Sequence, residues 1–312
     1  MKIFDLHQDL LMHVRFRDQF GQTDQTSFEA IEESDIDLVV ATAFPTPPND
    51  DHTHESVPAL ITEELEMYQE FIKRNPTWQL VLNAADLEKE GQKILLHLEG
   101  LNVFDGSSSA WEQLDAWRNL GVRSISSHWI IQNDLGGGTL QPEEGLTELG
   151  KELITYLEKN NVVFDMAHMS RTSFWNAVKV IRRPIYISHG NADAVCNNVR
   201  NYTDEQLKVV AETDGVIGVF FPNTFVVGKE KKSTVLDVVM HINYIKNLIG
   251  IRHIALGSDF GGIITGCVEG LSHVRDYPNL ITALSDAGYT DEEIEQITYR
   301  NAKRVLREHL EG

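Results

Sequence analysis

The chain has 312 residues, of which 42% are hydrophobic and 24% are charged. This length and composition fit either one large α/β barrel or two smaller domains with a substantial core. Acidic residues outnumber basic ones 47 to 27, a formal charge of −20, which argues against nucleic acid or an anionic membrane surface as a partner.

Cysteine usage and hydropathy predict the compartment. Cys196 and Cys267 form no metal-type pair and no disulfide framework, which is typical of a reducing environment. No apolar run approaches the ~20 residues of a membrane helix, and no basic-then-apolar leader opens the sequence. We therefore expect a cytoplasmic protein without a membrane partner.

Eight short runs, several of them apolar on both faces, predict the strands of a buried parallel sheet. In chain order they are KIFDLH, DLVVATAF, KILLHLEG, VRSISSH, VVFDMAH, PIYISHG, GVIGVFF and HIALGSD. Amphipathic patterns predict helices between them, at residues 63–74, 109–120, 148–160, 204–213 and 234–249. A last helix is expected in the C-terminal tail, which begins with a capping-box pattern at Thr290 and Glu293.

The alternation of strand and helix, repeated eight times, predicts a (β/α)8 TIM-type barrel. No linker, internal repeat or low-complexity tract divides the chain, so we expect a single barrel domain over residues 1–312. In this fold, catalytic groups gather where the strands end, at the C-terminal face of the barrel.

Six of the eight predicted strands end in residues that can bind a metal or transfer a proton. These residues are His7, Asp9, Glu99, His128, His168, His189 and Asp259. His7 and Asp9 lie two positions apart, so both side chains point to the same side of the strand. A single H-x-D or a lone histidine is more often structural, but three histidines that end consecutive strands are hard to explain by core packing. The sequence therefore predicts a metal site.

The residue types indicate which metals fit. Three imidazoles and two carboxylates without thiolates suit Zn²⁺, or else Mn²⁺ or Co²⁺. The ligands suffice for two ions if one carboxylate bridges them. Two ions about 3.5–4 Å apart can hold a hydroxide and polarise a carbonyl group, so hydrolysis of an amide or a related bond is the expected chemistry.

Longer motifs surround these residues: DLHQDLL, HLEG, GVRSISSHW, GLTELGKELI, VVFDMAHMS, PIYISHGNADAVCNNVRNYTDEQL and IALGSDFGG. In this order they resemble the motifs of the renal, or membrane, dipeptidases, a branch of the metal-dependent amidohydrolase superfamily. The resemblance covers the first dozen residues and nearly everything from Ile94 onward. Residues 15 to 90 match weakly.

The resemblance implies a zinc dipeptidase with two divalent metal ions. His7 and Asp9 would bind one ion, His168 and His189 would bind the other, and Glu99 would bridge them. The implied reaction is hydrolysis of the peptide bond of small dipeptides by a metal-bridging hydroxide. A dipeptide is then the expected partner, and a homodimer is a candidate oligomeric state that the sequence leaves open.

The resemblance also implies roles for three further residues. Asp259 would be the acid/base that handles the proton of the hydroxide. His128 would bind the substrate next to the reacting groups. We therefore count it both as a substrate-binding and as a catalytic residue. Arg200 would also bind the substrate. The alternative is a structural one, because an arginine in a polar loop is usually just exposed to solvent.

Two other functions remain open from the sequence. One is a hydrolase of the same superfamily that acts on a lactam, a lactone or an N-acyl amino acid. The other is a non-catalytic metal-binding scaffold, against which the intact Asp259 argues. The chain departs from the family pattern at Gly261, where a second aspartate is usual, and at Gly190 and Asn191, where serines are common. These departures bear on substrate preference.

Two motifs compete with the predicted site. His52 and His54 have H-x-H spacing, but they follow a proline-rich run and not a strand, so we expect a solvated or substrate-facing loop. The segment DLGGGTLQPEEG lacks the spacing and the lysine of a phosphate loop. It is predicted as a flexible loop over the mouth of the barrel.

Overall fold

The computed structural model describes residues 1–11, 24–44 and 57–311. His52 and His54 lie outside the described residues. Internal contacts divide the chain into two units, the first made of Met1–Val40 and Pro184–Val305, the second of Ala41–Arg183 and Leu306–Gly312. The single domain over residues 1–312 stays a prediction.

The described part of the chain contains nine strands. They are β1 (Ile3–Gln8), β2 (Ile36–Ala43), β3 (Gln79–Leu80), β4 (Lys93–Glu99), β5 (Val122–Ser126), β6 (Val163–Asp165), β7 (Tyr186–Gly190), β8 (Val216–Val219) and β9 (Ile254–Leu256). Eight of them coincide with the predicted runs, β1 and β2 to within one residue at one end. The additional strand, β3, was not predicted because it has only two half-buried residues, too few for a recognisable pattern.

The helices of the described residues follow the strands in chain order. They are α1 (Phe28–Glu32), α2 (Val57–Arg74), α3 (Ser108–Asn119), α4 (Glu148–Lys159), α5 (Arg171–Val178), α6 (Asp204–Glu212), α7 (Asn223–Val226), α8 (Val235–Ile249), α9 (Tyr277–Asp286), α10 (Asp291–Glu295) and α11 (Asn301–Leu310). A π-helical turn, Gln296–Arg300, joins α10 to α11. Over residues 1–11, 24–44 and 57–311, no helix combines the length and apolarity needed to cross a bilayer.

Within each unit the strands pair in parallel. In the first unit β1 pairs with β9, β9 with β8, and β8 with β7. In the second unit β3 pairs with β4, β4 with β5, and β5 with β6. The residues of β1, β4 and β7 are all buried, as expected of parallel strands that are covered on both faces.

Side-chain caps explain where several helices begin. The predicted capping box at α10 is present: the Glu293 amide donates to Thr290 Oγ1, and the Thr290 amide donates to Glu293 Oε2. Thr147 and Thr203 cap α4 and α6 in the same way, by accepting hydrogen bonds from amides in the first turn. These bonds satisfy amides that have no partner within the helix.

Most of the predicted site residues lie at or just past the carboxyl end of a strand. In the first unit His7 is in β1, His189 is in β7, and Asp9 directly follows β1. Asp259 lies three residues after β9. In the second unit Glu99 is the last residue of β4, while His128 and His168 lie two and three residues after β5 and β6. The buried, apolar strands thus place the polar side chains of the predicted site at their carboxyl ends.

Candidate metal centre

The first unit brings together His7, Asp9, His189 and Asp259, which we call the first cluster. His7 Nε2 lies 3.7 Å from Asp9 Oδ2 and 3.9 Å from Asp259 Oδ1. The ring centroids of His7 and His189 are 4.0 Å apart. One ligand atom from each of His7, Asp9 and Asp259 lies within 4.8 Å of the other two. Such separations suit side chains that bind one ion at about 2.0–2.2 Å.

Burial and donor chemistry also fit a divalent cation at the first cluster. His7, Asp9 and His189 are almost completely buried. A buried carboxylate is unfavourable unless a positive charge or hydrogen-bond donors stabilise it. Imidazole nitrogens and carboxylate oxygens without a thiolate are the ligands of Zn²⁺, Mn²⁺ and Co²⁺ in proteins.

Asp259 has both an unusual backbone conformation and a raised pKa. Its φ of +67° lies in the left-handed region, which is uncommon for residues other than glycine. Burial raises the pKa of Asp259 to about 7; nearby Arg200 acts against this shift, and nearby Asp5 adds to it. Cations bound close by would lower this pKa again, because they favour the charged form.

Arg200 lies in the first unit and is 6% exposed. Its guanidinium donates a hydrogen bond from Nη2 to the carbonyl oxygen of His189 (3.1 Å) and lies over the Phe220 ring, 5.2 Å from the centroid. Among the described residues, no carboxylate forms an ion pair with Arg200. A buried guanidinium without a carboxylate partner from the protein can bind a ligand that carries a carboxylate of its own.

The second unit brings together Glu99 and His168, the second cluster. Glu99 Oε1 lies 2.9 Å from His168 Nε2, and both side chains are largely buried. His168 has a φ of +64°, again in the left-handed region. Its carbonyl oxygen accepts hydrogen bonds from both the amide (3.0 Å) and the hydroxyl group (2.9 Å) of Thr139. Thr139 therefore holds the strained backbone of His168 from outside the cluster.

His128 also lies in the second unit, and its ring is fully buried. Its Nδ1 is 2.7 Å from Ser127 Oγ, whereas its Nε2 has no hydrogen-bond partner among the described residues. Burial lowers the pKa of His128 to about 4, so the ring is neutral at pH 7. A neutral imidazole with one free nitrogen can bind a polar group of a substrate.

Serine hydroxyls orient two of the predicted histidines. Ser127 contacts Nδ1 of His128, and Ser188 contacts Nδ1 of His189 at the same distance, 2.7 Å. Each serine directly precedes its histidine, so the Ser-His dipeptides in SISSH and YISHG carry this information in the sequence. A partner on one ring nitrogen fixes the orientation of the other toward a ligand.

The structure assigns the glycine-rich segment a role that differs from the prediction. Residues 135–139 are buried, and a Cβ at Gly137 or Gly138 would lie 2.4 Å from a backbone oxygen of Glu144 or Ile131. The Ser170 amide donates to the Gly137 carbonyl. These glycines permit close backbone packing beside His168, so the prediction of a flexible loop was wrong.

Two buried carboxylates near the clusters were given no role by the sequence. Asp5 accepts hydrogen bonds from Gln8, Ser258 and Tyr277. Burial raises the pKa of Asp5, and these hydrogen bonds act against the shift. In the second unit, Oδ2 of Asp165 lies 3.7 Å from Nε2 of His97. Asp5, His7 and Asp9 together form a D-x-H-x-D spacing, and its first position was the signal that could have identified Asp5.

Comparison with known proteins assigns the chain to a family. A model of the membrane dipeptidase family, peptidase family M19, matches residues 1–311. The chain belongs to this family. It is 36% identical over 243 residues to an uncharacterized protein of Klebsiella pneumoniae, across 73% of this chain and 88% of that protein. It is 34% identical over 217 residues to a dipeptidase of Aspergillus oryzae, across 68% of this chain. The match spans half the length of the Aspergillus protein.

Solved structures similar to the chain confirm the predicted fold. A Rhodobacter sphaeroides metallopeptidase, solved with a phosphinate mimic of the dipeptide L-Ala-D-Ala, superposes with a TM-score of 0.87 at 20% identity, over 99% of both chains. A probable dipeptidase of Pseudomonas aeruginosa gives 0.87 at 17% identity, over 99% of this chain and 96% of that one. The chain folds as a closed barrel of eight parallel strands with helices between them, the (β/α)8 type.

The packing of the glycine segment generates a stability prediction. Gly138→Ala is expected to lower the free energy of unfolding by roughly 1–3 kcal/mol, because the added methyl group would overlap backbone atoms of Ile130 and Ile131. Urea unfolding measures this change. Leu140→Ala, at a neighbouring position that is 60% exposed, is the control and should change stability by less than about 0.5 kcal/mol. A Gly138→Ala protein as stable as the control would contradict the close packing.

Proposed function

We propose that this member of the membrane dipeptidase family hydrolyses the peptide bond of small dipeptides. The observation that carries the proposal is the family match over residues 1–311, which coincides with imidazoles and carboxylates at the strand ends. Dipeptides with an L-residue first and either an L- or a D-residue second are the proposed substrates. The L-Ala-D-Ala mimic bound to the Rhodobacter enzyme supports including D-residues.

Two divalent ions are proposed as the cofactors, Zn²⁺ first, with Mn²⁺ or Co²⁺ as the alternatives. His7 and Asp9 would hold one ion, His168 and His189 the other, and Glu99 would bridge them, as the family resemblance implies. The 3.7 Å between His7 and Asp9 in the first cluster and the 2.9 Å between Glu99 and His168 in the second support shared ligation. When bound, the ions would supply Lewis acidity that lowers the pKa of water and polarises the peptide carbonyl.

Three residues are proposed to act on the substrate and its protons. Asp259 would accept a proton from the attacking water and deliver it to the departing amine. His128 would donate a hydrogen bond to the substrate through Nε2, which is buried without a partner among the described residues. Arg200 would bind the terminal carboxylate through a pair of parallel hydrogen bonds.

The proposed compartment is the cytoplasm. Both cysteines are free, as is usual where thiols are kept reduced.

The first prediction from this proposal concerns the number of ions and the role of Glu99. Calorimetric titration of the metal-free protein with Zn²⁺ should show two sites per chain. Glu99→Gln should weaken both sites together, because a bridging carboxylate contacts both ions and offsets the repulsion between them. His168→Ala should weaken mainly one site. If Glu99→Gln retained one site at unchanged affinity, Glu99 would be a terminal ligand and the bridge would be wrong.

The second prediction concerns Asp259→Asn, which preserves shape and removes the group that accepts a proton. Metal content should persist while kcat for a dipeptide falls by roughly 10²–10⁴, the usual contribution of a general acid/base. Elemental analysis and steady-state kinetics on the same preparation test this. Asp37→Asn, at a partly buried aspartate of β2 that is paired with Lys2, is the control. Wild-type turnover in the metal-loaded Asp259→Asn protein would make Asp259 a structural residue.

The third prediction concerns Arg200→Met, which keeps length and removes charge. KM should rise by roughly 10- to 100-fold for free dipeptides and much less for their C-terminal amides, since only the former lose a charge-assisted hydrogen bond of ~1.5–3 kcal/mol. Arg200→Lys keeps the charge without the planar fork and should be intermediate. An equal rise in KM for acid and amide would show that Arg200 does not bind the carboxylate.

A further inference from the structure

Asp5 lies two residues before His7 in β1, and its carboxylate is fully buried. The two carboxylate oxygens accept five hydrogen bonds, all from the first unit. Oδ2 accepts from Gln8 Nε2 (2.5 Å), Ser258 Oγ (2.6 Å) and Tyr277 Oη (2.6 Å). Oδ1 accepts from the backbone amides of Ser258 (2.8 Å) and His7 (3.3 Å). A carboxylate at this position therefore joins three separate segments of the chain.

The directions of these hydrogen bonds require an acceptor on both oxygens. The amides of Ser258 and His7 can only donate. The side chain of Gln8 is fixed in orientation, because its Oε1 accepts a hydrogen bond from Thr26 Oγ1 (2.7 Å). An amide nitrogen in place of Oδ1 would face two N–H donors, and in place of Oδ2 it would face the donor of Gln8. Asparagine therefore cannot reproduce the network at Asp5.

The network ends on the backbone that carries the first cluster. Ser258 directly precedes Asp259, whose φ of +67° needs outside support. The amide of Asp259 donates to the carbonyl of His7 (3.1 Å), and the amide of Asp9 donates to the carbonyl of Phe260 (2.8 Å). The hydrogen bonds of Asp5 thus hold the ends of β1 and β9 in register.

We propose that Asp5 is a positioning residue that fixes the carboxylate of Asp259 against His7. It acts through its hydrogen bonds with Ser258 and Gln8, and the hydroxyl group of Tyr277 in α9 donates a further hydrogen bond that holds it in place. The inference rests on the proposed function, in which Asp259 moves the proton. Loss of the Asp5 network would let Asp259 leave its 3.9 Å approach to His7 while the ligand side chains themselves stay in the protein.

The test is Asp5→Asn in protein loaded with Co²⁺, whose visible spectrum reports the geometry of its proposed ligands. One of these is His7, which Asp259 approaches to 3.9 Å and whose carbonyl accepts from the Asp259 amide. We expect wild-type metal content, an altered Co²⁺ spectrum and a kcat lowered by roughly 10- to 100-fold, the usual effect of losing a group that orients a metal site. KM should stay within about twofold, because the substrate contacts are unchanged. Activity and spectrum are measured on the same preparation.

Two variants complete the series. Tyr277→Phe removes one of the five hydrogen bonds and should shift both the spectrum and kcat less than Asp5→Asn. Ser258→Ala removes the hydroxyl contact with Asp5 and should lower kcat while KM is kept, which provides the test if Asp5→Asn does not fold.

Two results would overturn the proposal. One is a wild-type Co²⁺ spectrum and kcat in folded Asp5→Asn, or in Ser258→Ala if only that variant folds. The other is a loss of activity in direct proportion to lost metal, which would make Asp5 a support for binding and not for Asp259. Wild-type protein that binds Co²⁺ but cleaves no dipeptide would refute the proposed function, and the spectral comparison would still decide the role of Asp5.

Discussion

The polar side chains at the strand ends are largely withdrawn from water, and the rest of the site depends on how their burial is compensated. A buried carboxylate or guanidinium is unfavourable unless donors, acceptors or opposite charges surround it. Asp5 is stabilised by five hydrogen bonds, Glu99 by contact with His168, and Arg200 by a carbonyl group and an aromatic face. Burial also lowers the pKa of His128 to about 4, and the neutral imidazole is the form that can accept as well as donate a hydrogen bond.

The strands and the polar residues at their ends could be predicted from the sequence because both are local properties. Apolar runs identify strands, and a parallel sheet places the carboxyl ends of neighbouring strands along one edge. The partners of those residues could not be predicted, because Ser258 and Tyr277 lie more than 250 positions from Asp5. The function of Gly137 and Gly138 was misread for a different reason. Glu144 and Ile131 are close to them in sequence, but the backbone of these residues crowds the glycines only once the segment has folded back on itself.

Two departures from the family motifs have local steric reasons in the structure. Gly261 has a φ of +93°, and a Cβ there would lie 2.4 Å from the carbonyl oxygen of Asp9. A Cβ at Gly190 would lie 2.4 Å from the ring of Tyr202. In this chain the space beside Asp9 and His189 is therefore filled by backbone and by an aromatic ring, so an aspartate or a serine could not be introduced without a shift of these neighbours.

The left-handed backbone at His168 and Asp259 has a consequence for how the sequence can drift. Glycine is the residue that such a conformation tolerates best, and asparagine the next. Selection for folding alone would thus favour replacing both residues, whereas selection for the proposed ligation and proton transfer would retain them against that tendency. In a descendant that had abandoned its chemistry while it kept its fold, positions 168 and 259 would be among the first to become glycine or asparagine. These two positions would therefore record whether a lineage still uses the proposed site.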